Sequence, residues 1–392
     1  MNRLFLLLVT VLAVPATAGA QTGWKNKVLD LFSAPVHPIV ESVAPGGGFG
    51  PGVGLKPKMR GNEPWSIHAD AVFTLPNRDW QTAASYQYTT DALHVEGYGR
   101  LRQMTQLDFY GIGADTSLEG RTTFTYDDRT VGALVSLPFN LKRTGVRLGG
   151  RIEGLFPSIS EGGNEDYPSI EETFSDAQAP GLEFQPNFGA YTAFAIAQFP
   201  NDLNALARLG ADLRATFTAF DEIGGDSFDF TRLQLEAQER IPGFRESDTL
   251  TLHQLYSAAT TSGDARVPFY LQQTLGGVGQ VRSYNDEILG SDSTKATLRG
   301  FRDLRFRGPN LLLLQAEYRI AKLVGPIDLT FFGDAGMVAT QASELKLSSF
   351  RGNGGFSVSL MTIDATALRL DVGMGGGEGV HVFFSVGPIF QR

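Results

Sequence analysis

Cysteine is absent from the 392 residues, which excludes disulfide-stapled scaffolds, thiol catalysis and cysteine-ligated metal centres. Histidine is scarce: the five stand singly at positions 37, 68, 94, 253 and 381, a scatter that speaks against a zinc site. Positive charge is in deficit, with a formal net charge of -9 and no lysine/arginine cluster of the kind that nucleic-acid phosphates require. No P-loop, His-Glu-x-x-His helix or Gly-x-Ser-x-Gly elbow occurs, and no Ser/His pair stands out among the plentiful carboxylates. The expectation is therefore a protein without catalytic residues, metal, cofactor or nucleic-acid partner. A membrane-spanning helix is missing too, because the apolar stretch from Leu4 to Val14 falls short of the ~20 residues needed and Pro15 interrupts it.

That stretch has another reading. Arg3 supplies a positive start, Leu4 to Val14 an apolar core, and Ala18-Gly19-Ala20 a small-residue site before Gln21, so residues 1–20 are expected to be a secretory signal cleaved after Ala20. An exported chain without cysteine fits an outer-membrane β-barrel, whose strands satisfy their own backbone hydrogen bonds. Glycine (46) and phenylalanine (28) are abundant, and a hydrophobic fraction of 42% looks soluble, as it does when only alternate residues face lipid.

Residues 21–45 read as a short periplasmic lead, where Trp24, Val28, Leu31 and Phe32 recur at helical spacing until Pro35 and Pro38. Such a turn or two of amphipathic helix serves as a packing or membrane-surface element, or as a plug. From Gly46 to the C-terminus, residues 46–392, the pattern changes to alternating segments split by turn signals. Val380, Val382, Phe384, Val386, Pro388 and Phe390 fall on one face, and His381, Ser385 and Gly387 on the other. Leu368, Leu370, Val372 and Met374 likewise oppose Arg369, Asp371 and Gly373, and Leu148, Ile152 and Phe156 oppose Arg147, Arg151 and Glu153. Leu209, Leu213 and Phe217 oppose Arg208, Asp212 and Arg214 in the same way. A soluble β-sandwich also alternates. The signal, the number of segments and the terminal aromatic favour a transmembrane antiparallel barrel, all-β, with about eleven strands before residue 260 and five after residue 309, about sixteen in all.

Short polar breaks such as Asn77-Arg78-Asp79 and Asp127-Asp128 are expected to be hairpin turns, and the stretches Pro157 to Gln185 and Thr260 to Gly308 long extracellular loops. The first loop carries Glu161, Glu165, Asp166, Glu171, Glu172 and Asp176 without calcium-loop spacing, which reads as a solvated anionic surface.

Leu298-Arg299-Gly300-Phe301 and the leucine-rich strand ending in Gln315-Ala316-Glu317-Tyr318-Arg319 carry a resemblance, as does Phe331-Phe332-Gly333-Asp334-Ala335-Gly336. Upstream, Phe109-Tyr110-Gly111-Ile112-Gly113 and Leu275-Gly276-Gly277 stand in matching order. With these landmarks the chain resembles the barrel domain of the BamA/TamA surface-antigen superfamily over about residues 46 to 390. The resemblance implies that the long loop folds back into the barrel and that Arg299, flanked by Gly300 and Phe301, pairs with acids of the wall. Strand parity puts both candidate acids, Glu317 and Asp334, in the lumen if Leu312, Leu314, Ile327, Leu329 and Phe331 face lipid. Tyr110, Gly111, Gly113, Gly276, Gly277 and Gly336 are the accompanying landmarks. The clamp either stiffens the barrel or also serves its activity.

Relatives of this type usually carry periplasmic POTRA domains, whereas only residues 21–44 stand between the expected signal and the first strand, so a POTRA-less member is expected. Its partners would be outer-membrane lipid, unfolded outer-membrane proteins or lipid clients, and the host barrel-assembly machinery reading the terminal aromatic Phe390. The resemblance implies assistance in inserting or translocating protein or lipid; a channel for small solutes or ions is the alternative. Glycines 46, 47, 48, 50, 52 and 54 would make the first strand a weak seam partner for the last.

Overall fold

The computed structural model describes residues 34–57, 63–141, 144–199, 210–277, 297–361 and 366–386. The expected signal, the Trp24 to Phe32 helix and Phe390 lie outside the described residues.

Eleven strands precede the long loop: β1 (Val36–Glu41), β2 (Gly50–Leu55), β3 (Trp65–Phe73), β4 (Trp80–Thr89), β5 (His94–Phe109), β6 (Thr122–Leu141), β7 (Thr144–Glu161), β8 (Phe188–Phe199), β9 (Gly210–Glu222), β10 (Phe230–Pro242) and β11 (Thr249–Thr261). The loop holds a two-stranded stem, β12 (Gln273–Leu275) with β13 (Phe306–Gly308). Five strands follow: β14 (Asn310–Val324), β15 (Ile327–Ala339), β16 (Arg351–Met361), β17 (Thr366–Gly375) and β18 (Val380–Val386). Apart from the stem, all join one antiparallel sheet of sixteen strands in which each pairs with its neighbours in the chain, β11 passing directly to β14. This is the up-and-down meander of a transmembrane barrel, in which every backbone group facing lipid can be satisfied by the next strand. An even strand count puts both termini on one side and the long loops on the other.

Alternation sorts the side chains as a barrel wall requires. Ile152 (59% exposed), Phe217 (49%) and Phe331 (50%) point outward, while Arg151 (8%), Asp334 (3%) and Asp371 (3%) point into the lumen. Strand lengths are uneven. The strands β5, β6 and β7 run 16, 20 and 18 residues, well beyond the ~9–11 that cross a bilayer. Their extra length gives the loops an apolar seat: Phe109, Phe124, Phe188 and Phe269 pack edge-on or closely together with Ile170 of α1 (Ile170–Thr173), all essentially buried. By contrast β1 and β2 have only six residues each. They lie at the sheet edge opposite β18, where the Phe49 ring meets Phe384 edge-on at 5.8 Å.

Three sequence expectations need correction. The first strand is Val36–Glu41, ten residues upstream of Gly46. Pro38 is tolerated there because β1 pairs through a ladder with β2 on one side, and a proline lacks only the donor that an edge can spare. The glycines expected in the first strand instead form the following turn and β2. Asp127-Asp128 is not a hairpin turn but lies inside β6, where Asp128 accepts from both Arg100 and Arg102 at 2.6 Å. The two acids looked like a break because their charge is compensated by strand β5, which sequence alone does not place beside them. Finally, β7 continues through Pro157 to Glu161, so the loop that follows is shorter than expected. Asn77-Arg78-Asp79 does form a turn, with Arg78 at φ 62°.

Candidate functional site: the arginine clamp in the lumen

Between the stem strands the chain turns inward and brings Leu298 to Phe301 against the inner faces of β14 to β17. Gly276 (φ 118°) and Gly277 (φ 68°) make the entry possible, since no side chain is easily accommodated at such φ and their Cβ positions are filled by Arg302, Arg305 and Asp303. The entry is held by Gly277 N–H to the Leu298 carbonyl, Thr297 N–H to the Gly277 carbonyl, both 3.0 Å, and Gly276 N–H to Thr297 Oγ1 at 2.7 Å.

Arg299 is fully buried. Its Nε and Nη2 donate to the two oxygens of Asp334 at 2.9 and 2.6 Å, a bidentate fork, and Nη1 donates to Glu317 Oε1. Nη1 also lies 3.5 Å from Asp371 Oδ1, and the guanidinium stacks 3.5 Å above the Phe332 ring. Burial opposes its charge, but Asp334, Glu317 and Asp371 outweigh that and raise its pKa above the ordinary arginine value. The acids are themselves held: Asn353 donates to Asp334 at 2.9 Å, Gln315 at 3.1 Å, and Ser357 to Asp371 at 2.6 Å. Arg369 bridges Glu317 Oε1 (2.9 Å) and Asp371 (3.0 Å). Gln315 extends the network to His253 Nδ1 at 2.8 Å, whose Nε2 lies 2.8 Å from Glu236.

Backbone closeness makes this reach possible. A Cβ on Gly300 would stand 2.5 Å from Asn353 Cβ, and one on Gly373 2.1 Å from the Arg299 carbonyl. Phe301 is buried with Leu298, Leu275, Phe306, Leu311, Leu313 and Val338, its ring 5.2 Å from that of Phe306.

The structure thus brings Arg299, Gly300, Phe301, Glu317 and Asp334 into one site. It seats the other landmarks around it: Gly113 N–H donates to the Arg307 carbonyl at 2.7 Å, and Arg305 lies 4.9 Å over the Tyr110 ring. Arg305 also reaches Glu378 and Thr116, each at 2.6 Å, and Leu275 packs against Gly336. Gly111 makes its turn at φ 98°. Sequence reasoning put Asp371 and Arg369 on the inward face but did not assign them to the clamp. The available signal was parity on β17, two strands beyond Asp334. Phe332 stood in the quoted Phe331 to Gly336 landmark without an assigned role, and nothing in the sequence pointed to Asn353 or Ser357. Among the described residues no group of acids and histidines is arranged to hold a metal.

A sixteen-stranded antiparallel outer-membrane barrel whose long loop folds inward on an Arg-Gly-Phe tip, clamped by carboxylates of the strands that follow, defines a class. The chain belongs to the Omp85 superfamily, whose domain model matches residues 184–389, a span that contains the whole clamp. Among solved structures it is similar to BamA from Haemophilus ducreyi lacking POTRA domains 1-3, with 14% identity, TM-score 0.53, and coverage of 90% of this chain and 69% of that one. It is also similar to CdiB from Escherichia coli (13% identity, TM-score 0.57, 90% of this chain, 62% of that one). CdiB from Acinetobacter baumannii gives 10% identity and TM-score 0.54 over 90% of this chain and 58% of that one. The chain therefore spans less than two thirds of either CdiB protein. No curated protein sequence matches it significantly.

Proposed function

We propose that this barrel assists the insertion or translocation of protein or lipid clients at the outer membrane, and that it does so as a scaffold rather than an enzyme. The observation that carries the reading is the contrast around the wall. The C-terminal strands β14 to β17 are tied together through Arg299, whereas β1 and β2 are six residues each, β1 with Pro38 and β2 with three glycines. Short strands interrupted by proline or glycine pair weakly, so the β1/β18 edge, backed only by β2, is the place where the wall can yield to a client while the clamp keeps the remainder in register. Superfamily membership supports this class of role. On this reading residues 1–20 direct export and Phe390 serves recognition by the host assembly machinery.

The experiment is reconstitution of the barrel in liposomes with an unfolded outer-membrane protein as client and a trapped small dye as leakage probe. Because the chain has no cysteine, Phe49→Cys with Phe384→Cys introduces a unique pair for a bismaleimide cross-link across the edge. Client insertion that is catalysed by the uncross-linked protein and abolished by the cross-link is expected. Insertion at the rate of empty liposomes would sink the proposal. Dye release without insertion would favour a channel, a reading that rests on charged lumenal cavities of about 130 and 200 Å3, the first lined by Arg100, Asp128 and Glu153 and the second by Glu317, Arg319 and Arg369.

A further inference from the structure

The outer face of the wall carries a carboxylate where lipid contact calls for apolar side chains. On β10, Leu233 (39% exposed), Leu235 (45%), Ala237 and Glu239 share the lipid side by parity, while Arg232 and Gln238 are buried on the lumenal side. On β11, His253 and Leu255 are buried in the lumen, which turns Gln254 outward. Gln254 Nε2 donates to Glu239 Oε2 at 3.0 Å, and among the described residues no cation pairs with that carboxylate. Its depth is defined by the strand. Glu239 stands three residues before β10 ends at Pro242, on the side of the chain termini, which is roughly 8 Å along the barrel axis at ~3.4 Å per residue and a tilt of ~40°. With 13 residues, β10 exceeds the ~9–11 that cross the hydrocarbon, so Glu239 falls where headgroups meet acyl chains. An ionisable side chain on a lipid face is costly unless a partner answers its charge.

Beside this pair the outer face is hollowed. Register aligns Ala195, Ala215 and Leu235 in one row across β8 to β10, and Ala197, Leu213, Ala237 and Gln254 in the next, which reaches β11. The alanines leave a furrow of about 550 Å3, bordered by Tyr256 and Leu314 and lined by Gln254. That volume is within the ~300–1,000 Å3 of small-molecule sites. Glu239 lies in the row that follows, between Ala211 and Leu252, so a methyl is all that stands beside it on β9. Gln254 belongs to both parts: it lines the furrow and holds the carboxylate at its end. An apolar trough that ends on a hydrogen-bonded carboxylate at headgroup depth complements a molecule with a hydrocarbon chain and a cationic head.

We propose that this face is a phospholipid-binding site, in which the furrow takes an acyl chain and Glu239 accepts from a primary-ammonium headgroup of the phosphatidylethanolamine kind. The carboxylate selects the headgroup, because it attracts an ammonium and repels a head that carries only phosphate charge. The alanines select for a chain, because larger side chains would close the furrow. The site is independent of whether the β1/β18 edge opens.

Native mass spectrometry of the detergent-solubilised full chain, offered phosphatidylethanolamine and phosphatidylglycerol of equal acyl length in competition, tests it. Folding of each variant is checked by its heat-sensitive migration on a denaturing gel. The wild type is expected to retain one phosphatidylethanolamine with at least fivefold preference over phosphatidylglycerol. Glu239→Gln, which keeps the shape and removes the charge, brings that preference close to one. Ala215→Leu with Ala237→Leu fills the furrow and lowers retention of both lipids at least fivefold; Ala237→Leu alone serves if the double variant does not fold. Glu172→Gln, an exposed loop acid, changes neither quantity. Equal retention of the two lipids by the wild type overturns the proposal, as does a preference that survives Glu239→Gln or retention indifferent to the leucine substitutions. A dimer that the leucine substitutions dissolve also overturns it, since the furrow would then be a contact between two copies of the chain.

Discussion

At the scale of single residues, the clamp is a problem of buried charge. Arg299→Ala would leave Asp334 buried without its cation, while Arg369 still serves Glu317 and Asp371, and removing one member of such a buried pair costs about 3–5 kcal/mol, less where lumenal water reaches the site. The expected outcome is a lowered urea midpoint in detergent and new protease cleavage near residues 297–308, with the barrel's heat-sensitive migration retained. Asp334→Asn keeps the shape but loses the charged fork and should fall between wild type and Arg299→Ala in the same assays. A different residue-scale device holds the turn between β10 and β11. There the Arg245 hydrogen bond, against a smaller effect of burial, holds the Asp248 carboxyl down at about 2. A depressed carboxyl contributes stability above its unfolded pKa of ~3.9, and that contribution is lost as pH falls through the folded value. The turn should therefore stay closed at pH 4 and loosen only toward pH 2, read from the Asp248 side-chain carbonyl shift by NMR.

At the scale of elements, the loop and the four strands beneath it fit through glycine. Gly300→Ala and Gly373→Ala each place a methyl into backbone or Cβ atoms of the facing segment. Each should destabilise the docked loop by about 1–3 kcal/mol through overpacking, visible as faster amide exchange of residues 297–301 while β5 to β9 are unchanged. Phe301→Ala should cost more, about 3–5 kcal/mol, because it leaves a hole in a buried aromatic cluster. Much at this scale was readable in the chain: alternation along β14 and β15 put Glu317 and Asp334 on the lumenal face, and the count of eleven segments before the loop and five after it is the observed one. What escaped were contacts between segments far apart in sequence. Asp128 looked like a turn residue because its partners Arg100 and Arg102 are on another strand. Val36–Glu41 was missed because Pro38 within it and Pro35 just before it resemble a break until the sheet order makes it an edge. Asn353 and Ser357 carry no periodic signal, as their role depends on which side of β16 the loop descends.

For the whole molecule, the wall is unequal in height and in support. Long strands β5 to β7 carry the aromatic seat of the loops and β14 to β17 carry the clamp, whereas the short pair β1 and β2 adds only Ile39 to that buried cluster and nothing to the clamp. Covalent closure of the Phe49/Phe384 contact should raise thermal stability, since it reinforces the weakest sector, while blocking client insertion; an activity unchanged by the cross-link would mean that clients do not pass there.

The clamp also bears on the order in which the molecule is made. Arg299, Glu317, Asp334, Arg369 and Asp371 all lie within the last quarter of the chain, on elements consecutive in sequence, so their assembly demands little loop closure compared with joining β1 to β18. That quarter can form as a cooperative unit before the ring is complete. The strands left unclamped are then the last to be placed, and the edge through which a client would pass is also the final one that the barrel itself has to close.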